Sequence, residues 1–297
     1  MNTVYLGTSA FAAAVLGRLA GSPHRPRLVV TRPDRPRGRG RRLQPPPVAE
    51  AARALGLALA QPERAGDALA AIEAAEPETL CVCAYGELIR EPLLSLRPIL
   101  NVHPSLLPRW RGAAPLERAI MAGDEQTGVS IMRLTAGLDS GPVCLAAPEP
   151  IGPGDDFGAL AARLQQLGGE LLVRALEERP PCAEQDEAGV TYAEKIGPQD
   201  RTLHPARPAR ELERTVRALR PHIGARLALP GAQEWLGVHA ARVAAAGPPL
   251  GRLVLDEGRV LLGCAEGALE LLEVRPAGGR AMTAVAWARG RPGVLQP

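Results

Sequence analysis

Lysine is almost missing from this chain: Lys195 is the only one among 35 basic residues, so nearly all the positive charge is arginine. A base-composition bias in the gene accounts for this without a functional reason. Aromatic residues are also scarce, at 3%, so the core must be built mainly from Ala, Leu, Val and Ile. No run approaches the roughly 18 apolar residues of a membrane-spanning helix. The opening, MNTVYLGTSAF, lacks the basic region, apolar stretch and cleavage site of a secretion signal, and a cytoplasmic enzyme is the expectation. The five cysteines (Cys81, Cys83, Cys144, Cys182 and Cys264) are odd in number and widely spaced. Cys81 and Cys83 have no second pair to complete a zinc site. Buried free thiols, no disulfide and a reducing compartment are expected.

Several mechanistic signatures are missing too. The first turn, GTSAFA, is not a G-x-G-x-x-G, so a dinucleotide is not supported. There is no G-x-x-x-x-G-K-[ST] phosphate loop and no G-x-S-x-G elbow of a serine hydrolase. No internal repeat is visible. A net charge of +3 does not by itself point to nucleic acid.

What is present is alternation. Strand-like runs at Thr3 to Gly7, Arg27 to Thr31, Thr79 to Tyr85, Ile99 to His103 and Thr127 to Leu134 alternate with helical stretches. The helices read as running up to Leu19, then Val48 to Leu55, Gly66 to Ala75 and Pro115 to Ala122, with a long one over Asp155 to Glu178. This predicts an α/β fold, a mostly parallel Rossmann-like sheet with helices on both faces. Arg179 to Asp200 is rich in Pro, Gly and charge and reads as a linker. A helix over Ala209 to Leu219 follows, then short β runs separated by Gly or Pro up to Val274, which suggest a small antiparallel barrel or sandwich. The expected division is 1–182, a linker over 183–203, and a second domain over 204–297.

One stretch stands apart: NVHPSLLPRWRGAAP, Asn101 to Pro115. Proline fixes φ and removes a donor, so this polar, stiff segment is neither a helix nor a central strand. Asn101 and His103 are two apart on a predicted strand and so share a face. They sit where doubly wound sheets open to a ligand crevice. An amide donor beside a group that exchanges protons near neutral pH suits attack on a carbonyl. A carboxylate would complete the set, and Asp139, in the glycine-flanked loop TAGLDSGPV, is the best candidate. Singly, each has a plainer reading: a His satisfied by backbone, an Asn capping a turn, an Asp in an Asx-turn.

At these residues the chain resembles the folate-dependent formyltransferases. NVHPSLLPRWRGAAP resembles that family's signature, and its catalytic Asn, His and Asp match Asn101, His103 and Asp139. Its folate loop matches Ser105, Leu106, Leu107 and Pro108. GTSAFA, AYGELI, QTGVSIM, LDSG, VTYAEKI and PAGGRAM fall in family order along nearly the whole chain. The resemblance implies a 10-formyltetrahydrofolate donor, no metal, and a C-terminal OB-like β-barrel.

The segment TRPDRPRGRGRRLQPPPV resembles that of members acting on initiator tRNA. Arg32 to Arg42 holds six arginines against Asp34 alone, and Pro and Gly among them prevent a regular helix. Arginine suits forked phosphate contacts, and a solvated charged loop is the plainer alternative. The resemblance assigns tRNA binding to Arg37, Arg39, Arg41 and Arg42, with initiator methionyl-tRNA as acceptor and a monomer as the working unit. Alternatives are N-formylation of a nucleotide amino sugar, formyltetrahydrofolate hydrolysis, and an RNA-binding protein without catalysis. The chain departs from the family where PWPGA becomes Pro221-His222-Ile223-Gly224-Ala225, losing an aromatic, and where an I-D-W after Ile196 gives way to Arg201 to Pro205.

Overall fold

The computed structural model describes residues 1–37, 40, 42–229 and 234–291. In chain order the elements are β1 (Thr3–Gly7), α1 (Ala10–Ala20), β2 (Pro26–Val30), β3 (Arg35–Arg37), β4 (Arg42–Gln44), α2 (Pro47–Ala54), β5 (Leu59–Ala60) and α3 (Leu69–Ala74). Then come β6 (Thr79–Cys83), α4 (Leu93–Leu96), β7 (Ile99–His103), β8 (Arg111–Gly112), α5 (Pro115–Ala122), β9 (Gln126–Arg133), β10 (Val143–Pro150), α6 (Phe157–Glu178) and β11 (Tyr192–Ala193). The chain closes with α7 (Ala209–Leu219), β12 (Ala225–Ala228), β13 (Trp235–Ala244), β14 (Leu253–Asp256), β15 (Arg259–Gly263), β16 (Ala268–Arg275), β17 (Met282–Thr283) and α8 (Ala284–Arg289). Two compact units result. The first comprises Met1–Pro115, Gln126–Pro150 and Ala161–Ala193, and the second Leu116–Glu125, Ile151–Leu160 and Glu194–Pro297.

The first unit is built on a seven-stranded sheet of order β10-β9-β7-β6-β1-β2-β5. The ladders among β5, β2, β1, β6 and β7 are parallel, and β9 and β10 join antiparallel. The mostly parallel α/β sheet is therefore as expected. Every residue of β1 and β6 is buried, which is why TVYLG and TLCVC read as apolar runs rather than alternations. Tyr5 fits this interior by donating its hydroxyl to the Ala12 carbonyl at 2.6 Å. Ser9 caps α1 by accepting from the Ala12 amide.

The structure adds elements that periodicity did not reveal. β10 pairs along the whole of β9. The arginine segment folds back as an antiparallel pair, β3 with β4. The helix expected over Gly66 to Ala75 begins as a 3-10 turn, Ala65–Ala68, before α3. The expectation that all five thiols are free is corrected, because Cys144 and Cys182 form a disulfide. Val143 and Ala183 exchange both main-chain hydrogen bonds, at 2.8 and 2.9 Å, so their neighbours Cys144 and Cys182 face each other with Cα atoms 3.9 Å apart. That is the close, non-hydrogen-bonded position of an antiparallel pair, and nothing in the cysteine spacing signals it. Cys81, Cys83 and Cys264 are free and buried, as expected. Burial pushes the Cys81 and Cys83 thiols up to about 12.

The second unit is an antiparallel sheet of order β12-β13-β16-β15-β14, with β17 on β16. Its core joins Leu212, Val216 and Leu219 of α7 to inward residues of the strands and to Trp287 of α8. A small antiparallel β domain is thus present as expected, with α8 an addition. His222, where the resemblance suggests a lost aromatic, still stacks on Phe157 with ring centroids 3.7 Å apart, and it bonds Glu117 at 2.9 Å. Among the described residues no helix is long and apolar enough to cross a membrane.

Glu270 on β16 is 5% exposed and directly opposite Arg242 on β13. It accepts from Arg242 Nε and Nη2, both at 2.9 Å, and from Arg259 Nη2 at 2.6 Å. Those bonds, Arg242 first, hold its carboxyl below the usual carboxylate range even though burial opposes them. A group depressed in the folded state adds stability that is complete above its unfolded value and lost as pH falls through the folded one. Urea denaturation should therefore show E270Q less stable than wild type at neutral pH, with the gap closing as pH drops below the ordinary value of 4.5.

Candidate active site

β7 delivers Asn101 and His103 to the carboxyl end of the parallel ladder, 8% and 4% exposed. Asp139 arrives from the turn between β9 and β10, at a left-handed φ of 45°. The three side chains converge. Asn101 Nδ2 approaches Asp139 Oδ1 at 3.4 Å, and His103 Nδ1 lies 3.6 Å from Asp139 Oδ2. The Gly112 amide donates to Asp139 Oδ2 at 2.9 Å. A carboxylate this enclosed needs such donors, because an unpaired buried charge is costly.

His103 Nε2 lies 2.8 Å from the Trp110 carbonyl. That oxygen only accepts, so Nε2 carries a hydrogen in either charge state of the ring. Nδ1 is then the nitrogen that gains and loses a proton, and it faces Asp139. At 3.6 Å the pair is beyond direct hydrogen-bond reach. The ring is held as an acid–base group is: one nitrogen tied to backbone, the other presented.

The loop after β7 is tied down group by group. Ser105 is fully buried, and its hydroxyl donates to the Arg109 carbonyl at 2.6 Å. Ser130, opposite His103 on β9 and also fully buried, donates to the Ser105 carbonyl at 2.8 Å and accepts from the Leu107 amide at 3.1 Å. Leu106 lies over Gly128, where an added Cβ would come within 2.6 Å of it and within 2.2 Å of the Ala147 carbonyl. The glycine thus makes space for the loop. Trp110, at φ 64°, donates its amide to Thr191 Oγ1 at 2.9 Å, and β8 pairs with β11. Gly112, at φ 123°, sits where a Cβ would be 2.7 Å from the Ala193 carbonyl, a conformation and a spacing that both require glycine.

The arginine segment is less free than its composition suggests. Arg32 pairs with Glu87 and also donates to the Glu63 carbonyl at 3.0 Å, while Arg35 bonds Glu63 at 2.7 Å. Arg42 is exposed on β4. Arg37 lies on β3 with its side chain outside the described atoms, and Arg39 and Arg41 lie outside the described residues. A cavity of about 560 Å³ is lined by Arg64, Asp67, Glu87 and Arg90 among others, and by none of Asn101, His103 and Asp139. It is therefore not the pocket of that trio. Among the described residues no three His, Cys, Asp or Glu side chains gather as a metal site.

Three neighbours escaped the sequence reading: Ser130, Gln185 and Thr191. Each bonds the loop or the Asp139 turn from far along the chain, and nothing local in the sequence distinguishes it.

Comparison with known proteins gives a consistent result. The family model for formyl transferase matches residues 1–176, and that for the formyl transferase C-terminal domain matches residues 195–292. The methionyl-tRNA formyltransferase of Halorhodospira halophila is 44% identical over 97% of this chain and 96% of its own length. That of Dechloromonas aromatica is 40% identical over 98% and 96%. Among solved structures, HypX from Aquifex aeolicus in complex with tetrahydrofolic acid superposes with a TM-score of 0.68 at 17% identity. It covers 99% of this chain and 48% of HypX, so the chain spans about half of that protein, and the likeness is one of fold.

Removing the Ser130 hydroxyl leaves the Leu107 amide and the buried Ser105 carbonyl without that partner. S130A should lose about 1–3 kcal/mol of stability, measured by chemical denaturation. Hydrogen exchange should show reduced protection at the Leu107 amide.

Proposed function

The chain belongs to the formyl transferase family, and on that footing we propose how Asn101, His103 and Asp139 divide the chemistry. The reaction is transfer of a formyl group to the α-amino group of methionine on initiator methionyl-tRNA, giving N-formylmethionyl-tRNA for translation initiation. We take the donor to be 10-formyltetrahydrofolate, in the reduced-folate class that HypX holds. The observation that carries the assignment is the convergence of an amide, an imidazole and a carboxylate at the end of β7.

The neutral amine attacks the formyl carbon, and negative charge develops on the formyl oxygen. Asn101 Nδ2 is a neutral donor for that oxygen, and His103 Nδ1, when protonated, is the second. As the bond between the formyl carbon and the folate nitrogen breaks, the proton released by the amine reaches that nitrogen by way of His103, which Asp139 orients. Asp139, held by the Gly112 amide, is oriented toward His103 and steadies the imidazole.

For the folate, we assign Ser105, Leu106, Leu107 and Pro108 as the wall of the pocket. Ser105 acts by holding the turn, since its hydroxyl is already committed to Arg109. For the tRNA, we assign Arg37, Arg39, Arg41 and Arg42, with the antiparallel β3–β4 pair presenting the charge. Catalysis falls to the first unit, which runs on to Ala193 rather than ending at the expected 182, and tRNA binding also to the second, with a monomer in the cytoplasm as the working form. A disulfide is unusual in that compartment, and Cys144–Cys182 would be an exception there.

Single-turnover transfer separates the roles. N101A should slow the chemical step about 10²- to 10³-fold, as loss of one oxyanion donor does. H103A should slow it about 10²- to 10⁴-fold. A wild-type rate in H103A would overturn the assignment. Replacing Arg37, Arg39, Arg41 and Arg42 by Gln should weaken tRNA binding and leave folate affinity in place. Its salt dependence should flatten, by about 0.7–0.9 in logarithmic slope for each phosphate no longer neutralised. An unchanged slope would remove the segment from the interface.

A further inference from the structure

We propose that Gln185 is a positioning residue for Asp139, and that Arg111 locks Gln185 in that role. The inference rests on the formyl-transfer reading and extends it to a segment that reads in sequence as a linker.

Asp139 is held at both ends. Its carboxylate takes the Gly112 amide, as above. Its main-chain carbonyl accepts from Gln185 Nε2 at 2.8 Å, and the same nitrogen donates to the Gly141 carbonyl at 2.7 Å. The two hydrogens of one amide thus staple residues 139 and 141 across Ser140. A residue at φ 45° needs its neighbours to over-determine it, and the staple does that on the carbonyl side.

Gln185 Oε1 accepts from Arg111 Nε at 3.0 Å. Arg111 is 3% exposed, and its Nη2 bonds Glu187 at 3.0 Å. Every polar atom of the Gln185 amide is therefore used, and only one orientation of the amide works. Reversed, an oxygen would face two carbonyls and an NH₂ would face a guanidinium. Arg111 precedes Gly112, the donor to the Asp139 carboxylate. A closed ring results: the Gly112 amide to the Asp139 carboxylate, the Asp139 carbonyl to Gln185, Gln185 to Arg111, and Arg111 back along the chain to Gly112. Asp139 cannot shift away from His103 without breaking a bond of this ring. Catalytic groups need this kind of support, because a displacement of about 1 Å can cost about 100-fold in rate.

The test follows single-turnover formyl transfer to charged initiator tRNA from 10-formyltetrahydrofolate, using the full chain as wild type, Q185A, Q185E, D139A and D139A/Q185E. Q185E keeps the size of the side chain and the bond from Arg111, but turns the donor into an oxygen facing two carbonyls. Q185E and Q185A should lower the rate constant about 10- to 100-fold at saturating substrate, with each KM within about threefold of wild type. Their melting temperatures should stay near wild type. Without the carboxylate it positions, Gln185 should matter little, so Q185E in the D139A background should cost less than about threefold.

The proposal is overturned if Q185E transfers formyl at the wild-type rate, or if its cost is the same with and without the Asp139 carboxylate. A rise in KM at constant rate would also overturn it. Q185A carries the same test should the carboxylate of Q185E unsettle folding. A wild-type chain that formylates no tRNA would instead sink the functional reading, so the two failures are distinct.

Discussion

The candidate site turns on one nearly enclosed carboxylate, Asp139, fixed by hydrogen bonds beside the imidazole of His103. The Asp139 side chain is 14% exposed and that of His103 is 5% exposed. Enclosure strengthens whatever field they exert on a reacting carbonyl, but it also removes the water that would otherwise satisfy them. The fold answers with main-chain donors and acceptors rather than with opposite charges: the Gly112 amide for Asp139 and the Trp110 carbonyl for His103. Both come from the same short stretch, residues 110–112. That stretch is itself pinned by Thr191 and β11. The position of the chemistry is thus set less by the sheet than by what is laid against the sheet's open end.

Asn101 and His103 were legible because a strand repeats every two residues and an apolar run ended in polar groups. The sheet was legible because its strands are buried on both faces. Asp139 was legible mainly through the LDSG resemblance, since a glycine-flanked aspartate has many ordinary uses. What stayed hidden is long-range. Gln185 lies 46 residues from Asp139, and Thr191 lies 81 from Trp110. A polar side chain destined for a buried bond looks, in sequence, like any surface residue. The disulfide stayed hidden for the same reason: Cys144 and Cys182, 38 residues apart, meet only because Val143 pairs with Ala183.

The arginine segment shows the converse limit, where composition overstates what the molecule presents. Six arginines against one acid look like a uniform patch. In the fold Glu87 and Glu63 take up Arg32 and Arg35, so the first part of the segment is tied to the sheet unit by ion pairs. Exposed pairs such as Arg35 with Glu63 add little stability on their own. Their effect is to fix where β3 begins.

The stretch that reads as a linker has a practical bearing on how this molecule is taken apart. Residues 182–193 carry a cysteine bound to β10, the amide that staples the Asp139 turn, and the strand that pairs with β8. A fragment cut at the end of α6 would keep Asn101, His103 and Asp139 and lose groups bonded to the turns that carry two of them. A protease nick between Ala183 and Gly189 would do the same to the intact chain. A piece that keeps those contacts must run at least through Ala193, and its boundary is drawn by hydrogen bonds rather than by the last helix.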